Sequence, residues 1–146
     1  MKTNTQPPEI TIHGKIPVGF TDQKIKNLIS KILRMANLSA VSIGIAFVGP
    51  LKMSEYNKLY RKKNRPTDVL SFAYHKSKKP AQNIEGDIII CPAFVRSDIK
   101  GGDILFGEQL KRLLIHGILH LSGLDHVKET QAKKMFLKQE KILKAL

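Results

Sequence analysis

Apolar residues along the chain fall at two spacings, and the change from one to the other marks out the elements. Ile10-Thr11-Ile12 alternates ahead of Gly14 and predicts a short first strand. From the capping candidate Thr21, Ile25, Leu28, Ile29, Ile32, Leu33 and Ala36 follow helical spacing, with Asn37 as the stop. Ala40 to Val48 alternates again until Gly49-Pro50. Ser54 to Lys62 reads as a short helix with Tyr56, Leu59 and Tyr60 toward the core, followed by a loop over Asn64 to Thr67. Val69 to Tyr74 and Asp87 to Cys91 have strand length and composition, and His75 to Glu85 between them reads as a mobile loop. Pro92 opens a helix that reaches Ile99, before Gly101-Gly102. Leu110, Leu113, Leu114, Ile118, Leu119 and Leu121 define a longer one. A last, lysine-studded helix runs from Thr130 to Leu146, with Ala132, Met135, Phe136, Ile142, Leu143 and Leu146 as its apolar positions. About four strands and about five helices make an α+β domain.

Composition narrows this to a single globular unit. The 146 residues match one domain, 1–146, and 42% hydrophobic with 25% charged residues provides for a real core. Lone Cys91, in an apolar strand, reads as an inert buried thiol and gives no internal disulfide. The polar start Met1 to Pro8 has no apolar signal region, and no run approaches the length of a membrane span, so the expectation is a cytoplasmic protein without a membrane partner. Charge changes the picture more. Lys plus Arg is 25 against 12 acidic residues, a formal +13, which is the footprint of a polyanion binder.

Three of the five histidines stand in the stretch HGILHLSGLDH, residues 116–126. His116 and His120, four apart on a helix, share a face one turn apart and are able to bind one ion. Gly123 allows the left-handed turn that would bring in His126 as a third ligand. Three protein ligands leave one coordination position open, as in catalytic zinc sites. The frame is that of the metzincin metalloproteases except at one place, where Gly117 replaces the glutamate that serves them as general base. Asp125, beside a ligand, is a candidate orienter or substitute base, or only a turn cap. His13 and His75, far from the cluster, read as surface residues.

The same stretch resembles the signature H-G-x-L-H-L-x-G-x-D-H of the YbeY family of bacterial metal-dependent endoribonucleases, matched at every fixed position by His116 to His126. Tyr60-Arg61 and Pro66-Thr67-Asp68-Val69-Leu70-Ser71-Phe72 resemble a second family block, and Gly86-Asp87-Ile88 a third, in family order. Asn64 and Ala73 depart from it, where aspartate and proline are usual. The resemblance implies a zincin-like fold and one zinc ion on His116, His120 and His126. It also implies cleavage of single-stranded RNA, in maturation of the small-subunit ribosomal RNA 3′ end and in ribosome quality control, with the small subunit and its assembly factors as partners.

With the family block behind it, Arg61 is the candidate catalytic phosphate contact, its planar fork suited to non-bridging oxygens. Lys62, Lys63 and Arg65 add positive charge for RNA, and Asp87, at the start of a strand, is a candidate orienter of a ligand histidine, although a loop-capping aspartate is the safer reading. Tyr60, Phe72 and Tyr74 are equally placed for base stacking or for the core. Two other classes compete: an RNA-binding assembly factor with structural zinc, and a metalloprotease, which Gly117 disfavours.

Overall fold

The computed structural model describes residues 7–74, 83–99, 102–124 and 128–146. In chain order these form β1 (Glu9–His13), α1 (Asp22–Met35), β2 (Ser39–Phe47), α2 (Pro50–Arg61), β3 (Val69–Ala73), β4 (Asn83–Ile90), α3 (Pro92–Asp98), α4 (Asp103–Leu121) and α5 (Glu129–Ala145). The sheet order is β1-β2-β4-β3, with β1, β2 and β4 parallel and β3 antiparallel to β4 on an edge. This is the expected α+β arrangement of a four-stranded mixed sheet with five helices.

Burial on the two faces of the sheet is unequal. On one face, Ile43, Ile45, Ile84, Ile88 and Ile90 pack with Ile25, Ile29 and Ile32 of α1 and Leu110, Leu114 and Ile118 of α4. The other face carries a smaller cluster of Met53, Leu70, Ile89 and Cys91 beneath α2. Gly86 in β4 has a packing reason: a side chain there would strike the Phe72 carbonyl oxygen and Leu121 of α4. Removing it lets helix and sheet approach closely.

Helix ends follow local chemistry. Thr21 caps α1 by accepting from the Lys24 amide at 3.1 Å. Asn37, at φ 56, closes α1, and the Leu38 amide returns to the Leu33 carbonyl at 2.8 Å.

Several expectations need correction. α2 begins at Pro50, four residues before Ser54, because proline suits the first helical turn, where its missing N–H costs nothing. Its buried positions are Met53 and Asn57, while Leu59 and Tyr60 are exposed. β4 begins at Asn83, so the end of the expected loop His75 to Glu85 is strand, and the remainder, 75–82, lies outside the described residues. Phe136 is exposed on α5. Cys91 is buried as expected, and His13 is exposed; His75 lies outside the described residues. Among the described residues no helix is long and apolar enough to cross a membrane.

Candidate active site

The 19 residues of α4 bury Leu110, Leu113, Leu114, Ile118 and Leu121 and leave His116 and His120 half-buried on one side. Their ring centroids are 4.5 Å apart in an edge-on arrangement at 72°. One helical turn therefore brings two imidazoles together, as the spacing requires. The helix ends in a Schellman turn. Gly123 takes φ +98, its amide donates to the His120 carbonyl at 2.9 Å, and the Leu124 amide donates to the Leu119 carbonyl at 3.2 Å. Leu124 then packs on the main core. The expected left-handed glycine is present, while His126 and Asp125, to which it leads, lie outside the described residues. Among the described residues no three His, Cys, Asp or Glu side chains gather as a metal site, so the described ligand candidates are the two α4 histidines.

A residue missed in the sequence supports His116. Its Nδ1 donates to Oε1 of Gln139 on α5 at 2.9 Å. With the amide oxygen turned toward it, Nδ1 is the donating nitrogen of this pair, an arrangement compatible with metal binding through Nε2. Gln139 stands between the buried Met135 and Ile142 on α5, and a polar residue interrupting an apolar stripe is the signal that marks it. Arg112 of α4 and Glu140 of α5 pair at 3.2 Å and fasten the two helices beside it.

Gly117 points elsewhere. A Cβ built on it would lie 2.8, 3.0 and 3.1 Å from three side-chain carbons of Ile88, because this face of α4 rests on β4. The position that holds the catalytic glutamate in metzincins is here a packing contact.

Arg61 closes α2, and Lys62 takes the left-handed conformation after it at φ 58. Asn57, buried on the same helix, donates from Nδ2 to the Arg65 carbonyl at 2.9 Å and receives the Lys63 amide on its own carbonyl at 3.3 Å. Its Oδ1 is buried with no partner among the described residues. These bonds fold the loop back on α2. Asn57, Arg61, Lys63, Arg65, Thr67 and Phe94 thereby line one pocket of about 340 Å³. The structure thus gathers three of the four candidate cations, leaves Lys62 exposed beside them, and includes neither α4 histidine in this lining.

Asp87 lies mid-strand in β4, not at a strand start or in a capping loop. Gly86 and Ile88 beside it face α4, so alternation turns Asp87 to the opposite side of the sheet. There its Oδ2 accepts from the Tyr74 hydroxyl at 2.9 Å. That hydrogen bond, with burial and the charges of Asp87 and Glu85, holds the Tyr74 phenol above its ordinary value near 10.0. Gly44 is bare because a Cβ would meet the Asp87 carboxylate. The histidine-orienting role expected of Asp87 is therefore not supported by its position, and the partner found for His116 is Gln139.

The endoribonuclease YbeY family model matches residues 11–146. A curated relative named Endoribonuclease YbeY from Sulfurihydrogenibium sp. (strain YO3AOP1) is 36% identical over all of this chain and 97% of its own. Another of that name from Thermodesulfovibrio yellowstonii is 41% identical over 88% of this chain and 81% of its own. The solution structure of a Thermotoga maritima protein matches at a TM-score of 0.64 and 31% identity, covering 92% of this chain and 86% of that one.

Proposed function

Since the chain belongs to the YbeY family of endoribonucleases, we propose that it cuts single-stranded RNA at one zinc ion held by His116, His120 and His126, with Arg61 gripping the phosphate. The observation that carries this reading is the His116 and His120 pair, 4.5 Å between ring centroids, one turn ahead of a left-handed Gly123. Both are imidazoles, and Gln139 beside His116 Nδ1 is the kind of outer partner that orients a ligand histidine, so the described residues fit the ion. Zinc, when bound, supplies Lewis acidity that neutralises charge on a phosphoryl oxygen and makes water a nucleophile near neutral pH.

The protein does the rest. The Arg61 guanidinium offers a planar fork to two non-bridging oxygens and holds the charge that builds on them in the transition state. Lys63 and Arg65 in the same pocket, with Lys62 beside it, attract the backbone, within a chain of +13. Asp125, next to His126 in sequence, is the acidic candidate for orienting that ligand or taking a proton. Gly117 supplies no base, so the peptidase route of the metzincin frame lacks its proton acceptor. We further assign the RNA to the small ribosomal subunit, with 3′-end maturation and ribosome quality control as the setting, its assembly factors as partners and the cytoplasm as the place.

Two variants separate the roles. His116→Ala is expected to lose both the roughly one equivalent of metal and RNA cleavage, while Arg61→Glu keeps the metal and loses cleavage. Cleavage unchanged in either refutes its assignment. Metal that stabilises the fold without any cleavage would instead support an assembly factor with structural zinc. Mapped 3′ ends of small-subunit RNA in cells lacking the protein test the ribosomal setting.

A further inference from the structure

All three tyrosines of the chain lie on the sheet face away from α4 and its histidines. Tyr56 and Tyr60, one turn apart on α2, stack with ring centroids at 6.4 Å and planes 23° apart. Tyr60 meets Phe72 of β3 at 4.6 Å. Phe72 pairs across the sheet with Asp87, and Asp87 holds the hydroxyl of Tyr74, two residues further along the same side. Tyr56, Tyr60 and Phe72 form one run of touching rings from α2 onto the edge strand, and Tyr74 extends it along the same side through Asp87. Core packing does not account for Tyr60 and Tyr74, which are 57% and 54% exposed.

We propose that this aromatic run is a base-stacking subsite for single-stranded RNA, holding nucleotides away from the bond that is cut. The proposal rests on the endoribonuclease reading above and adds where the strand lies. Charge decides the class of occupant. The run starts under Lys52, whose Nζ is 5.3 Å from the Tyr56 ring, and Tyr60 adjoins the Arg61 to Arg65 loop. Aromatic rings bordered by cations suit single strands, whose bases are free to leave their stack and lie on a ring while the backbone follows the positive charge. Asp87 and Glu85, on the same face, repel phosphates, so the backbone keeps to the loop side and bases turn toward the rings. The hydrogen bond to Asp87 and the packing of Tyr60 on Phe72 fix the rings beforehand, which lowers the entropy lost on binding. A duplex, with its bases already paired and stacked, gains nothing here.

The chain has no tryptophan, so its intrinsic emission comes from these three tyrosines and reads the surface directly. The probes are a 2′-O-methyl oligoadenylate of about ten nucleotides, a length of the order that one single-strand-binding module covers, and an abasic oligomer of equal length and charge. The oligoadenylate is expected to change tyrosine emission and bind more tightly than the abasic one. Tyr60→Leu and, independently, Tyr74→Leu should each weaken oligoadenylate binding about fivefold or more. Abasic binding stays the same, and Tyr60→Phe restores affinity; circular dichroism verifies each fold, and either leucine variant suffices if the other fails to fold. Equal affinity for the two oligomers, or unchanged binding in the folded leucine variants, overturns the subsite and leaves the rings to a protein partner. RNA cleavage by the unaltered protein, run alongside, separates this outcome from failure of the endoribonuclease reading, since cleavage without base-dependent binding overturns the subsite alone.

Discussion

Replacing Gly117 by alanine adds one methyl group in the middle of α4, where alanine is the better helix former by about 1 kcal/mol. Propensity alone predicts a more stable protein. Packing predicts the opposite, because the methyl would sit 2.8 to 3.1 Å from three carbons of Ile88. Ile88 is fully buried in a central strand, and two of those carbons are attached directly to its Cβ, so it has nowhere to swing. Overpacking of this kind costs about 1 to 3 kcal/mol, which leaves a net loss of about 0 to 2 kcal/mol. At about 2 to 4 °C per kcal/mol, thermal unfolding should come up to about 8 °C earlier. Ile88→Val removes Cδ1 and with it the 2.8 Å contact, and costs about 0.5 to 1.5 kcal/mol alone. In that background Gly117→Ala should cost less, with a coupling of roughly 0.5 to 1 kcal/mol in a double-mutant cycle followed by denaturant unfolding. Gly117→Glu, which rebuilds the metzincin frame, would press a carboxylate into the same apolar contact, and is expected to give an unfolded or insoluble chain and no peptidase. A higher melting temperature for Gly117→Ala, or strict additivity with Ile88→Val, refutes this account.

Four further outcomes are expected. Gln139→Leu should keep the fold but weaken metal binding about 10- to 100-fold in a chelator competition, and an unchanged constant would remove Gln139 from the site. In an ultraviolet titration, the absorbance step missing from Tyr74→Phe should lie above pH 10; its folded-state value is raised, so the associated stability is present below the unfolded value and is lost as pH rises through the folded one. A missing step at or below pH 10 contradicts the Asp87 bond. Lys62→Gly relieves a left-handed lysine and should stabilise the chain by about 1 kcal/mol in urea unfolding, whereas lost stability would show that the lysine side chain holds the loop. Asn57→Ala should destabilise by about 1 to 2 kcal/mol and weaken RNA binding, because it frees the Arg65 carbonyl and loosens the cation loop; RNA affinity equal to that of the unaltered protein would separate the loop from the site.

What the sequence made legible was local. His116, His120 and Gly123 sit within one helix end, where a spacing of four and a glycine dictate geometry without help from the rest of the chain. Asn37 ended α1 for the same reason. The features that differ from expectation depend on partners brought from afar. Which way Tyr60 and Asp87 face depends on how α2 and β4 lie on the sheet, and alternation alone does not say which side is the better covered. Gln139 and Asn57 gain their meaning from a histidine 23 residues earlier and a carbonyl eight residues later. Pro50 serves at once as the stop of a strand and the first turn of a helix, and neighbouring residues alone do not separate the two.

The unequal sheet faces bear on how the molecule breathes. The α4 histidines rest on the large cluster, whereas α2 and its cation loop are held over only Met53, Leu70, Ile89 and Cys91 with partly buried rings around them. Opening the small cluster exposes far less apolar surface than opening the large one, so sub-global unfolding should begin there. Amide protons of α2 are therefore expected to exchange with deuterium sooner than those of α4 under native conditions. The half of the fold under α4 is therefore expected to stay closed while the half under α2 opens first.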